Sequence, residues 1–300
     1  MTGSAGDIPG NTIENRGRNL SAARRVLIET LRAAGMENGV READSILVRL
    51  LDCSRATILA HPEKILTDSQ VSSVMEAGRR RAKGEPLQYV LGETHFYGRP
   101  FETSRGVLIP RPETELLTEL ALEFLPASAP RTLLDWGTGS GCIAITLLLE
   151  RPLTKAVMAE KNPSSLLQAW KNTARYGLTG RSFLWHSRTP ADIPVAPGTL
   201  DLVVSNPPYI PTRDIPNLMR EVRDHEPRLA LDGGEDGMDC HRLLFRHAPL
   251  WLRPGGTLLF EIGDAAQAKK LRETTPPGLK FTKETTDYSG LPRCMAWERM

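Results

Sequence analysis

From about Asn19 to Lys83 apolar residues recur at helical spacing. Val26, Ile28 and Leu31 form one such set, and Ile46, Leu47, Leu50 and Leu51 another, the latter three and four positions apart on one helix face. Ser21 and Thr67 are the expected N-caps, and Gly35 and Gly84 the expected stops. The pattern predicts a small all-helical domain over 19–84. Ahead of it, Met1 to about Arg18 is polar and glycine-rich, with no apolar stretch of the kind a signal peptide carries, and is expected to be a disordered extension over 1–18. Residues 85–112 change character. Tyr89, Val90 and Leu91, then Phe96, Tyr97, Phe101, Val107 and Ile109, are strand formers punctuated by Gly92, Gly98 and Gly106. A β-hairpin linker is expected there, ending in the rigid Pro110-Arg111-Pro112.

Beyond Glu113 the periodicity alternates between strand and helix. Strands are predicted at 132–136, 156–160, 183–186, 200–205, 257–262 and 294–297, and helices at 115–124, 142–149, 164–176, 238–251 and 265–272. Alternation of this kind predicts an α/β domain over 113–300, with a mostly parallel sheet covered on both faces. Ligands of such sheets bind outside the C-terminal ends of the strands. Two motifs rich in glycine or proline fall at such ends.

The first runs Asp135-Trp136-Gly137-Thr138-Gly139-Ser140-Gly141 and opens a helical pattern. Glycines at a strand-to-helix turn allow positive φ and close approach of a ligand. A dinucleotide fingerprint spaces its glycines GxGxxG; here they are one residue tighter, with an acid two positions ahead. This resembles the S-adenosyl-L-methionine loop of class I methyltransferases, whose ligand carries no phosphate. Glu160 ends the next predicted strand, 19 residues after Gly141, close to the interval at which an acid receives a ribose diol. A carboxylate there can accept from both hydroxyls. In the enzymes this loop resembles, a further acid follows the third strand and meets the adenine. The corresponding run, Trp185-His186-Ser187-Arg188, has none. Ser187 is left as a weaker acceptor, Trp185 or Arg188 as a surface for the ring, and His186 reads as a strand-end residue.

The second motif is Ser205-Asn206-Pro207-Pro208-Tyr209, after the fourth predicted strand of that domain. An amide or exocyclic amino nitrogen gives its lone pair to a π system and is a poor nucleophile. To attack a sulfonium methyl it must be oriented, and its N–H groups must meet acceptors as positive charge develops. The Asn206 side-chain carbonyl can be one acceptor and the Pro207 backbone carbonyl the other, while Pro207 and Pro208 stiffen the turn. Tyr209 offers an aromatic face to a flat group. The motif fits a glutamine amide and an adenine or guanine amino group equally well.

Composition narrows the classes. No apolar run approaches the length of a membrane span, so no membrane is expected. Cys53, Cys142, Cys240 and Cys294 lack CxxC spacing, which argues against a zinc site or a disulfide framework; no metal is expected, and the compartment is read as cytoplasm. Net charge is +2, with 15 basic and 13 acidic side chains in residues 1–106 and 23 of each thereafter. That is a weak basic footprint for an enzyme that grips nucleic acid, so none is expected as a direct partner. The cluster Arg79, Arg80, Arg81 and Lys83 is read first as a solvated helix face. The stretch 210–237 has little periodicity and exceeds ordinary loop lengths, as lids and binding segments do.

Residues from about 20 to 300 resemble the release-factor glutamine methyltransferases, the PrmC/HemK family. The resemblance rests on Gly84-Glu85-Pro86-Leu87-Gln88-Tyr89-Val90-Leu91-Gly92, on Phe96-Tyr97-Gly98, and on Ile109-Pro110-Arg111-Pro112-Glu113-Thr114-Glu115. The glycine loop, Ser205 to Ile210, Glu226-Pro227, Gly233-Gly234, Asp236-Gly237 and Pro254-Gly255-Gly256 follow in order. It implies a class I fold with a mostly parallel seven-stranded sheet, with S-adenosyl-L-methionine as donor. The implied acceptor is the glutamine of the Gly-Gly-Gln loop of class I peptide chain release factors. It further implies that the helical domain grips the factor and that Asn206 lies beside both the methyl group and the amide; separately, a monomer is expected. This chain departs from the pattern near Ser187, at Glu160 where Asp is commoner, and at Trp136 where an aliphatic residue is usual.

Overall fold

The computed structural model describes residues 18–300, so the extension expected over 1–18 lies almost wholly outside the described residues. The chain forms two compact units that divide between Gly92 and Glu93.

The first unit is helical: α1 (Leu20–Ala33), α2 (Gly39–Leu51), α3 (Arg55–Ala60), α4 (Asp68–Ala82) and α5 (Leu87–Leu91). α1 is capped by Asn19, whose side chain accepts from the Ala22 amide at 2.8 Å, and not by Ser21. Thr67 caps α4 in a reciprocal box with Gln70. Leu20, Leu27 and Leu31 of α1, Ile46 and Leu47 of α2 and Val74 of α4 share one core, whereas Val26 and Leu50, expected on the same faces, are exposed. Gly78 lets α4 close on α1, because a Cβ there would strike the Leu27 side chain. Two expectations are corrected. Tyr89, Val90 and Leu91 lie in α5, since Pro86 starts a turn and the αL residue Gly92 (φ 72°) ends it. The arginine cluster is not simply a solvated face: Arg81 is buried and forks onto Glu42 at 2.6 and 3.0 Å, and Arg80 binds Glu85.

The second unit opens with a hairpin, β1 (Glu93–Phe96) and β2 (Arg99–Glu102), that is confined to 93–102; Val107 and Ile109 are buried but lie outside any strand. Then come α6 (Glu113–Phe124), β3 (Thr132–Trp136), α7 (Cys142–Glu150), β4 (Lys155–Glu160), α8 (Pro163–Arg175), β5 (Ser182–His186), β6 (Leu200–Ser205), α9 (Arg220–His225), α10 (Asp239–Trp251), β7 (Leu252–Glu261), α11 (Ala265–Glu273), β8 (Leu279–Thr286) and β9 (Pro292–Arg299). Their strands form a seven-stranded sheet ordered β5-β4-β3-β6-β7-β9-β8, parallel through β7, with β9 antiparallel to both its neighbours.

The sheet faces follow the period of two. Leu133, Val204 and Leu259 pack with α6, α7 and α8, while Leu134, Val203 and Phe260 pack with α10 and α11. Connections run β3 to β4 to β5 outward and then return to β6 beside β3. The C-terminal ends of β3 and β6 therefore flank the topological switch point, where a crevice opens. No helix among the described residues is long and apolar enough to cross a membrane.

Candidate active site

The switch point brings both motifs to one cleft of about 270 Å³. The glycine loop leaves β3 with Gly137, Gly139 and Gly141 at φ 75°, 58° and 84°. Gly141 is also a close-packing position: a Cβ there would meet Ile145 Cδ1 at 2.8 Å and Met158 Cε at 3.0 Å. The Thr138 side chain serves the loop itself, and the Ser140 backbone ties the loop to α8. The Thr138 hydroxyl donates to Asp135 Oδ2 at 2.6 Å, and the Ser140 carbonyl accepts from Asn172 Nδ2 at 2.9 Å. Asp135 is fully buried, and that burial pushes its carboxyl up to about 7. Of the five loop residues named from sequence, Gly137 and Gly139 line the cleft; Thr138, Ser140 and Gly141 shape it from behind.

Glu160 ends β4 and lines the same cleft. Its Oε2 accepts from the Gly139 amide at 2.9 Å and its Oε1 from the Asn162 amide at 2.8 Å. Burial raises its pKa, opposed by those backbone donors. A carboxylate has about four acceptor sites, so these backbone donors leave room for a diol at a group whose orientation is already fixed. On the adenine side expected from sequence, Ser187 and Arg188 line the cleft, and the Ser187 hydroxyl donates to the Thr189 carbonyl at 2.8 Å. Trp185 does not reach the cleft. An acid is nearby after all. Asp192 folds back so that Oδ2 accepts from the Arg188 and Thr189 amides at 2.9 and 3.2 Å, bracing that wall rather than lining it. His186 is exposed, its Nε2 3.0 Å from the Lys161 carbonyl.

Asn206, Pro207 and Pro208 form the opposite wall. The Ser205 hydroxyl donates to the Trp136 carbonyl at 2.6 Å, tying the end of β6 to the start of the glycine loop. Asn206 Nδ2 donates to Thr114 Oγ1 at 2.9 Å, and the Thr114 hydroxyl donates to Glu261 Oε2 at 2.8 Å. Tyr209 lies beyond the cleft lining; its hydroxyl donates to Glu261 Oε1 at 3.1 Å and its ring packs 3.1 Å from where a Cβ on Gly263 would stand. From sequence Thr114 stood out only as a member of the Ile109–Glu115 run and Glu261 not at all, although a lone acid ending the apolar run of β7 is a signal that could have found the second.

The segment 210–237 wraps the proline motif through backbone contacts. Ile210 donates to Leu231 at 3.1 Å and receives from Gly233 at 2.8 Å, and a Cβ on Gly233 would lie 2.8 Å from the Pro208 carbonyl. Leu229, Ala230 and Asp232 then reach the cleft. Glu226 is buried, accepting from Arg111 at 2.6 Å and from the Ile109 amide at 3.3 Å; burial raises its carboxyl against the lowering pull of Arg111. The Pro110-Arg111-Pro112 run and the Glu226-Pro227 pair are thus two halves of one contact. Among the described residues no group of three or more His, Cys, Asp or Glu is arranged to hold a metal ion.

The model of the PrmC N-terminal domain matches residues 22–92, and that of the methyltransferase small domain matches residues 111–235. A release factor glutamine methyltransferase from Bradyrhizobium diazoefficiens is 37% identical over 290 residues, covering 95% of this chain and 96% of that protein. The chain belongs to the release factor glutamine methyltransferase family. A second member, from Cereibacter sphaeroides, is 40% identical over 274 residues, covering 91% of this chain and 96% of its own length. A methyltransferase structure from Pyrococcus furiosus superposes with a TM-score of 0.51 at 17% identity, over 77% of this chain and 98% of that one, and shares the fold. The sequence-based recognition of the family, and of a class I methyltransferase fold with a mostly parallel seven-stranded sheet, therefore holds.

Proposed function

We propose that this chain transfers a methyl group from S-adenosyl-L-methionine to the side-chain amide nitrogen of the glutamine in the Gly-Gly-Gln loop of class I peptide chain release factors. Family membership supports the class of acceptor. The observation that carries the reading is one of geometry: Asn206, at the end of β6, and Glu160, at the end of β4, face a single cleft across the glycine loop. The cleft suits the donor. Gly137 and Gly139 present bare backbone, Glu160 presents a carboxylate held by two amides, and Ser187 and Arg188 close the far side. When bound, the sulfonium supplies an electrophilic methyl group.

The chain's own residues supply orientation. With Nδ2 engaged by Thr114, Asn206 has its carbonyl oxygen left to accept an N–H of the acceptor amide. The Pro207 carbonyl accepts the other N–H. As the nitrogen gains positive charge these acceptors strengthen, an effect realised chiefly in the transition state. The nitrogen's proton is held between them until it leaves to water. The helical unit grips the release factor. The partner is a protein and not a nucleic acid, and the enzyme works as a monomer in the cytoplasm.

The test is methyl transfer from labelled donor to a purified release factor, with a variant factor whose loop glutamine is alanine. Transfer to the first and not the second is expected. Label retained on the alanine variant, or carried by RNA or DNA in place of protein, overturns the proposal.

A further inference from the structure

An asparagine amide fits its site equally well either way round, because its oxygen and nitrogen ends have nearly the same shape. Only the hydrogen-bonding character of its neighbours selects one orientation. For Asn206 that neighbour is the Thr114 hydroxyl, at 2.9 Å. A hydroxyl can donate or accept, so Thr114 alone does not decide the matter. Its second partner does. Glu261 Oε2 lies 2.8 Å from Thr114 Oγ1, and an ionised carboxylate only accepts. The threonine hydrogen is therefore committed to Glu261, a lone pair faces Asn206, and Asn206 must turn its Nδ2 to Thr114 and its carbonyl away.

We propose that Thr114 and Glu261 are positioning residues that set the direction of this hydrogen-bond chain and so hold the Asn206 carbonyl in its acceptor orientation. The inference rests on the reading of Asn206 as the amide-binding group. Both residues are almost wholly buried, at 2% and 1% exposure, which keeps water from competing for the bonds. A buried carboxylate is a costly choice for a bond that a neutral group could also make. Its neighbours do little to offset that. Arg293 on β9 forms its ion pair with Asp287 at 2.9 Å, and Glu113 on α6 adds a like charge. Tyr209 donates to Oε1 at 3.1 Å, Cys294 is the register partner on β9, and the His241 ring of α10 meets the Glu261 backbone carbonyl and not its carboxylate. The Glu261 carboxyl is accordingly pushed up to about 7 by burial. Once protonated on Oε2 it would donate to Thr114, whose hydrogen would then turn to Asn206 and reverse the amide.

The experiment is steady-state methyl transfer to a release factor by wild type, Thr114→Val, Thr114→Ser, Glu261→Gln and Asn206→Ala. Donor affinity by calorimetry and melting temperature are measured on each. Thr114→Val keeps the shape and removes the acceptor; kcat should fall about 10- to 100-fold, short of or equal to the loss of one oriented transition-state hydrogen-bonding group, with the donor Kd unchanged. Thr114→Ser should recover most of that loss. Wild-type kcat should fall as pH drops through about 7, and Glu261→Gln should lack that limb. This comparison separates Glu261 from Asp135, which is also pushed up to about 7. Adding Thr114→Val to Asn206→Ala should cost nothing further, since the chain would have nothing left to orient. Equal losses in Thr114→Val and Thr114→Ser, or wild-type turnover in Thr114→Val while Asn206→Ala is inactive, overturn the inference and leave the reading of Asn206 standing. Wild-type turnover in Asn206→Ala overturns that reading instead. If Thr114→Val does not fold, Glu261→Gln with an unchanged pH profile is sufficient refutation.

Discussion

Replacing Glu160 by glutamine would usually count as the gentlest change available, one atom exchanged at constant shape. The structure predicts otherwise. Both carboxylate oxygens accept from backbone amides, Oε2 from Gly139 and Oε1 from Asn162. Whichever end of a glutamine carries the NH₂ group, that group meets an N–H, donor against donor. One amide loses its partner, at a cost of about 1–3 kcal/mol. The donor diol loses a charge-assisted acceptor in the same step, worth about 1.5–3 kcal/mol. Part of the first cost falls on the free protein, so a net weakening of about 3 kcal/mol is expected, roughly 100-fold in Kd. Glu160→Ala should weaken binding by a similar factor, since it removes the same contacts without the donor clash. The assay is calorimetric titration with S-adenosyl-L-methionine at pH 8, with thermal melting as the control for folding. A glutamine variant that binds within twofold of wild type would reduce Glu160 to a brace for the glycine loop with no part in holding the donor.

Three further outcomes follow from the same geometry. Asn206→Ala should lower kcat by on the order of 100-fold or more while melting close to wild type, because the residue sits at a strand end; near-normal turnover would remove it from the mechanism. Gly141→Ala combines a backbone at φ 84° with a Cβ 2.8 Å from Ile145 Cδ1, so left-handed strain of about 1–2 kcal/mol and overpacking of about 1–3 kcal/mol should destabilise the protein by about 2–5 kcal/mol in urea; a loss below about 0.5 kcal/mol contradicts that packing. Glu261 has its carboxyl raised from 4.5 to about 7 in the fold, so its contribution to stability is present below the unfolded pKa and is lost as pH rises through about 7. Glu261→Gln should therefore gain on wild type by roughly 2–3 kcal/mol between pH 5 and pH 8, and parallel stability profiles for the two proteins would rule this out.

Much of this site could be read from the sequence because its chemistry is local. A strand ending in Gly137, Gly139 and Gly141, and another ending in Asn206-Pro207-Pro208, announce their turns through residues whose backbone preferences are strong. The parallel sheet was legible in the alternation of strand and helix, and in the fold Leu133-Leu134 and Val203-Val204 are continuous apolar runs buried on both faces. What was missed depends on distant partners. β8 carries Lys280, Lys283 and Glu284 and reads as polar, yet it pairs with β9 as the sheet edge, where charges discourage further pairing. Tyr89 to Leu91 have strand propensity but are held in a helical turn between Pro86 and Gly92. Thr138 carries a side chain suited to ligand contact, and only the fold reveals that Asp135 claims it. Thr114 and Glu261 lie 147 positions apart, so their bond belongs to the tertiary structure alone.

The proposed reaction is methylation of one glutamine amide of a release factor in the cleft between the glycine loop and Asn206. Its most direct test is mass spectrometry of peptides from a release factor incubated with this protein and S-adenosyl-L-methionine. A single added methyl group is expected, mapped by fragmentation to the side-chain nitrogen of the glutamine in Gly-Gly-Gln and absent when Asn206→Ala is the enzyme. A methyl group mapped to any other residue, or an unmodified glutamine after prolonged incubation with active protein, would contradict it.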